Sequence, residues 1–253
     1  MEGVRLWLCC FPSAGSGPAP FVRLASYLPE SIGLVGVCLP GRGHRLAEPP
    51  LATVPAMAEE AAAALEALLD RPLAFFGHSL GALVAFEAAH ALRRRREAEP
   101  VAFCTAAAPP PQLAGRGEPI AHLPDDAFLA AVQTRYGGLD EALAGDAEWL
   151  AVLLPALRAD MLALESYRHG LEPPLRCGIL ALAGDADTSA SAAAAVGWRE
   201  HTWAPFTLQL VPGGHFFVHK RTAAVARVIT RWLVREAGDV PGLASESAQP
   251  PPR

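Results

Sequence analysis

Gly77-His78-Ser79-Leu80-Gly81 follows the apolar run Pro72-Leu73-Ala74-Phe75-Phe76 and precedes the helix-forming stretch Ala82 to Leu92. The five residues fit G-x-S-x-G, a nucleophile elbow, in which a serine stands at the tip of a sharp strand-to-helix turn with its hydroxyl clear of the backbone. Such a turn strains the serine backbone. Glycines on either side leave room for strand and helix to close around it. The bare pattern also suits an ordinary Gly/Ser turn. The strand before it and the helix after it make Ser79 a candidate nucleophile.

A serine hydroxyl attacks only when a base takes its proton, and that base is usually a histidine oriented by a carboxylate. After an elbow of this kind the chain order is Ser, then Asp or Glu, then His. His215 fits the last place: Pro212-Gly213-Gly214-His215-Phe216-Phe217 follows the final apolar run, and its glycines let the loop turn tightly. His219 is a weaker second, expected on the next helix. The acid should lie in Ala183-Gly184-Asp185-Ala186-Asp187-Thr188, where two carboxylates compete. Asp187 reaches further beyond the strand and is the chosen acid. Asp185 is placed to accept backbone N–H bonds within the loop, and sequence leaves the choice open. An oxyanion hole needs two N–H groups. Leu80, after the nucleophile, should supply one, and Ala14 in Phe11-Pro12-Ser13-Ala14-Gly15-Ser16-Gly17 the other.

The elements that must carry these residues are legible as short apolar runs. Arg5–Cys10, Leu34–Leu39, Pro72–Phe76, Val101–Ala106, Gly178–Leu182 and Thr207–Val211 read as strands with little polar alternation, as in a parallel sheet covered on both faces. Helical runs at Met57–Leu69, Ala82–Arg95 and Ala223–Glu236 separate them. Strand–helix alternation of this kind makes an α/β domain, expected over residues 1–237. About residues 112–170 contain no clear strand but helical patterns at Asp125–Tyr136, Asp140–Leu143 and Ala147–His169. A helical lid over the active site is expected there. Ser189–Val196 reads as a short helix after the acid loop, and residues 238–253 read as a disordered tail.

At 253 residues, with 51% hydrophobic residues, the chain suffices for one large core. A net charge of −5 argues against a nucleic-acid partner. The run Arg93-Arg94-Arg95-Arg96 falls where cations suit a helix C-terminus. Five cysteines without C-x-x-C spacing read as buried hydrophobes in a reducing compartment, not as disulfides or a metal site. Without a signal segment or membrane-length apolar stretch, the cytoplasm is the expected location and a monomer the default.

Several stretches together resemble the type II thioesterases, the stand-alone editing enzymes of polyketide and nonribosomal peptide assembly lines. They are Cys10-Phe11-Pro12-Ser13-Ala14-Gly15, Leu39-Pro40-Gly41-Arg42-Gly43, Gly77-His78-Ser79-Leu80-Gly81-Ala82, Leu157-Arg158-Ala159-Asp160, Gly184-Asp185-Ala186-Asp187 and Pro212-Gly213-Gly214-His215-Phe216-Phe217. The resemblance covers roughly residues 5–235. It implies an α/β-hydrolase fold with a helical lid. It also implies cleavage of acyl groups from the phosphopantetheine arm of acyl or peptidyl carrier proteins, with Ser79 as nucleophile, His215 as base and Asp187 as acid. No metal or cofactor is implied. The chain departs from the family pattern at Ser13, where a histidine or aromatic is frequent, at Ser16, where glycine is common, and at Thr188, where proline is usual. Arg42 would hold its own loop, Pro40–Arg45, or else meet the carrier's phosphate. The competing functions are an oxygen-ester carboxylesterase or lipase, a product-releasing thioesterase, and an inactive hydrolase fold used for binding.

Overall fold

A computed structural model describes residues 3–138, 146–238 and 240–243. Six strands form one sheet: β1 (Leu6–Phe11), β2 (Ile32–Gly36), β3 (Leu73–His78), β4 (Ala102–Ala106), β5 (Gly178–Gly184) and β6 (Phe206–Val211). All pairings are parallel, in the spatial order β2-β1-β3-β4-β5-β6. The helices among the described residues are α1 (Val22–Ala25), α2 (Val54–Leu65), α3 (Leu80–Arg96), α4 (Asp125–Tyr136), α5 (Ala147–Ser166), α6 (Ala192–Ala195), α7 (Phe217–Lys220) and α8 (Thr222–Glu236).

The apolar runs split by the two-residue strand period into two cores, one on each face of the sheet. Cys9, Phe11, Phe75, Phe103, Ile179 and Ala181 pack with α2 and α3. Their strand neighbours Leu8, Cys10, Phe76, Cys104, Leu180 and Leu182 pack with α8. Burial on both faces explains why the strands read as continuous apolar runs. Strand order reverses between β1 and β3. The C-terminal ends of two strands wound in opposite directions leave a crevice there, the usual ligand site of open parallel sheets.

The expected elements that fall on described residues are present, with shifted edges. β2 pairs over residues 32–36, not 34–39. Val37 still donates to Cys10 O at 2.9 Å, but Leu39 is buried by packing after the chain has left the ladder. An apolar run reports burial, not hydrogen-bonded pairing. β3 runs on through Gly77 and His78, and α3 begins at Leu80, so Ser79 alone makes the turn. Between Ser189 and Val196 only Ala192–Ala195 is α-helical. The pattern at Asp140–Leu143 lies outside the described residues. Of the expected tail, residues 238 and 240–243 are described; Leu243 is buried in the α8-side core, and the rest lies outside the described residues.

The arginines ending α3 are neutralised locally. Arg93 pairs with Glu99, Arg94 with Glu59 and Glu172, and Arg95 and Arg96 with Glu66. This is a solvated, charge-matched helix end.

Beneath it lie three histidines. His90 is fully buried and neither ring nitrogen has a hydrogen-bond partner. It packs edge-on against Phe86, which also touches His169 and His201. Burial, then the charges of Arg93 and Arg94, pushes His90 down to about 4. Burial, then His169, does the same to His201. The unfolded chain therefore takes up protons near the ordinary histidine value, about 6.5, that the folded chain refuses until about pH 4. Stability contributed by neutral His90 and His201 is complete above that ordinary value and is lost as pH falls towards 4. Urea unfolding measured across this window should show stability falling with pH, with a shallower slope in His90→Leu. An unchanged slope in that variant would show that His90 is not the proton-excluding group.

Candidate active site

Ser79 has φ +56° and ψ −122°, a conformation that costs a non-glycine residue on the order of 1–3 kcal/mol. Its surroundings enforce it. The Ser79 N–H donates to Ala106 O at 2.9 Å, at the end of β4. A Cβ at Gly77 would lie 2.6 Å from Ala82 N. A Cβ at Gly81 would lie 2.5 Å from Pro12 O and closer still to Phe11 O. The first glycine lets strand and helix meet. The second lets the helix press against the loop after β1.

The loop after β6 brings His215 over this turn. His215 Nε2 is 2.9 Å from Ser79 Oγ, and Nδ1 is 2.9 Å from Asp187 Oδ2. Both Asp187 and His215 are buried. The other Asp187 oxygen, Oδ1, accepts from Ser189 N at 2.9 Å, Ser189 Oγ at 2.7 Å and Ala190 N at 3.1 Å. Burial alone would raise the Asp187 pKa. The hydrogen bond and charge of His215, then Ser189 and the Ala190 N–H, outweigh it and hold the carboxyl at about 2. Asp187 is therefore ionised throughout the physiological range.

Asp185 has a different place. Its Oδ1 accepts from Gly213 N at 2.8 Å, while Ala186 N donates to Gly213 O at 3.0 Å. Asp185 ties the two loops together, and Asp187 faces the imidazole. His219 is on α7, its ring against His78 and Phe216.

The two expected oxyanion donors, Leu80 and Ala14, stand on α3 and in the loop after β1. Leu80 opens α3, whose first N–H groups have no partner within the helix. Ala14 lies in the loop that Gly81 touches, and its N–H has no acceptor among the described residues. A cavity of about 160 Å³ opens beside the serine, lined by Ser79, Leu80 and His215 from the sheet side and by Tyr136, Met161 and Leu164 from α4 and α5. Helices α4 and α5 share their own small core, including Phe128, Val132, Leu157 and Met161, and Ala14 packs against it.

Two supports escaped sequence reasoning. His78 is fully buried and its Nε2 is 3.0 Å from the main-chain oxygen of His215. Asp160, on α5, has no exposed surface. Its Oδ2 accepts from Gly15 N at 2.8 Å and Arg42 Nη1 at 2.6 Å, and its Oδ1 from Arg42 Nη2 at 2.8 Å. Arg42 also donates to Ser16 O and Pro40 O. Arg42 does hold its loop, but by reaching α5; buried and bidentate, it has no face left for an outside phosphate. Both residues stand in stretches that carry the family resemblance. Their pairing, across 118 positions, leaves no local signal.

The sequence matches the thioesterase domain family over residues 7–233. It is 40% identical to the thioesterase PikA5 of Streptomyces venezuelae, over 91% of this chain and 82% of that protein. Among solved structures it resembles RedJ, a thioesterase of the prodiginine pathway in Streptomyces coelicolor, at 35% identity and a TM-score of 0.81, covering 89% of this chain and 86% of that one. It also resembles YbtT, a type II thioesterase of the yersiniabactin pathway, at 30% identity and a TM-score of 0.80, covering 92% and 94%.

The Arg42–Asp160 pair generates a stability prediction. Asp160→Ala strands a buried guanidinium and should cost about 3–5 kcal/mol, whereas Arg42→Met combined with Asp160→Leu should recover most of it. Denaturant unfolding checks this, and a single-variant cost below about 1 kcal/mol, the value of an exposed pair, would contradict the buried geometry. The parallel sheet with helices on both faces, the serine at its switch point and the match across nearly the whole length lead to one conclusion: the chain belongs to the thioesterase family, with the α/β-hydrolase fold.

Proposed function

We propose that this protein is a stand-alone type II thioesterase that hydrolyses acyl groups from the phosphopantetheine arm of acyl or peptidyl carrier proteins. It would act as a monomer in the cytoplasm and clear aberrant or stalled chains. The observation that carries the reading is the continuous hydrogen-bonded line Ser79–His215–Asp187 opening onto a cavity roofed by α4 and α5. Relatives named as thioesterases, one of them a type II thioesterase of an NRPS/PKS biosynthetic pathway, are matched along most of their length and support the substrate class. No helix among the described residues is long and apolar enough to cross a membrane.

In this reading His215 Nε2 takes the Ser79 proton as Oγ bonds to the thioester carbonyl carbon. The carbonyl electrons move onto oxygen, facing the N–H groups of Leu80 and Ala14. The tetrahedral adduct collapses, the C–S bond breaks, and His215 returns its proton to the departing pantetheine sulfur. Water then attacks the acyl-serine, giving a proton to His215 that passes back to Ser79 Oγ as the acid leaves. Asp187 stays ionised and stabilises the imidazolium at each stage. Helices α4 and α5 form the proposed lid, which keeps bulk water from the acyl group.

Ser79→Ala should fold as the wild type does and lose turnover of acyl-pantetheine thioesters. Full activity in that variant would end the assignment. Asp187→Asn should lower kcat by about 10³–10⁴, as expected when the orienting carboxylate becomes an amide. Asp185→Asn keeps an acceptor for Gly213 N–H and should stay within about tenfold of wild type. The reverse ranking would move the acid to Asp185. Steady-state turnover of a thioester and an oxygen ester of the same acyl group, with the thioester strongly preferred, separates this reading from an esterase.

A further inference from the structure

We propose that Ser189 is a positioning residue of this active site: its hydroxyl is a second acceptor for the His215 Nδ1 proton and keeps the imidazole in the tautomer that can deprotonate Ser79. The inference rests on the Ser79–His215–Asp187 reading and adds a member to it.

The geometry is a closed triangle. Ser189 Oγ is 2.7 Å from Asp187 Oδ1 and 2.9 Å from His215 Nδ1, while Asp187 Oδ2 is 2.9 Å from the same Nδ1. A hydroxyl has one proton and two lone pairs. Asp187 is ionised and only accepts, so the Ser189 proton must point to Oδ1. A lone pair of Ser189 Oγ then faces Nδ1. Nδ1 must carry a proton, or lone pairs would oppose each other on both sides of it. Nε2 is left bare, as it must be to accept the Ser79 proton.

Ser189 also disciplines the carboxylate. Its hydroxyl and main-chain N–H, together with Ala190 N–H, occupy Oδ1 and leave Oδ2 free to face the ring. An alanine at this position would keep both main-chain donors and lose only the hydroxyl. That isolates the contribution of Oγ. Ser189 also lines the cavity beside Ser79.

The consequence is redundancy. With Asp187 present, Ser189 shares the Nδ1 proton. With Asp187 truncated, nothing holds the Ser189 proton away from Nδ1 in the resting enzyme, but once the ring is protonated in the transition state the hydroxyl oxygen is the acceptor left for Nδ1–H. The test is a double-mutant cycle on kcat for one acyl-pantetheine thioester, using Ser79→Ala as the zero. Ser189→Ala should lower kcat about 3-fold with KM unchanged, and Ser189→Thr, which keeps the hydroxyl, should restore it. In the Asp187→Ala background the same Ser189→Ala change should cost at least about tenfold, because the hydroxyl is then the sole acceptor for a charged donor. An equal factor in both backgrounds, or Asp187→Ala and the double variant both resting at the Ser79→Ala zero, overturns the proposal. A second readout needs only the single variants. The low-field proton resonance of His215 Nδ1 should move in Ser189→Ala and return in Ser189→Thr, and an unmoved resonance also overturns it. Wild-type turnover in Ser79→Ala would instead remove the triad reading itself, a distinct failure.

Discussion

Gly81 presses against the carbonyl oxygens of Phe11 and Pro12 with no room for a side chain. That contact joins the loop after β1 to the turn after β3, at the point where strand order reverses. Everything that would handle the substrate is referred to it. It brings the Ala14 loop beside the serine, and it starts α3 at Leu80 directly after the turn. The strained backbone of Ser79 is held because strand, helix and neighbouring loop are each fixed by packing on both sides of the sheet.

The two loops that complete the site are matched by their own chemistry. Asp185 and Asp187 are two residues apart, yet one grips the backbone of the histidine loop and the other faces the histidine ring. The first sets how far the loops separate. The second then meets Nδ1 at hydrogen-bond distance. Ser189 completes the arrangement by occupying the far oxygen of Asp187. A carboxylate with several donors on one oxygen cannot rotate freely, and the imidazole inherits that order.

The roof is tied to the floor through Asp160. Its carboxylate on α5 takes the Gly15 N–H and both ends of the Arg42 guanidinium. The C-terminal part of α5 is thereby joined to the Ala14 loop by charge-assisted bonds sealed from water. Leu157 and Met161 add apolar contact with α4 around the same loop. Pro155 lies within α5, upstream of this anchor, where it removes a helix hydrogen bond.

The amino-acid sequence by itself determined whatever depends on local chemistry. Ser79 was legible because a sharp turn needs glycines at fixed offsets, and His215 because a glycine pair follows the last apolar run. The strands were legible because both faces of a parallel sheet are buried. Their edges were not, as β2 shows, since burial continues where pairing stops. Tertiary structure alone decided which of two nearby aspartates faces the ring, because that depends on how another loop crosses them. It alone paired Arg42 with Asp160 and set His78 beneath His215. Such partners are far apart in the chain and close in space, and neither residue's own neighbourhood records the other. Local spacing encodes a turn; only the packed sheet brings distant charges and rings to bonding distance.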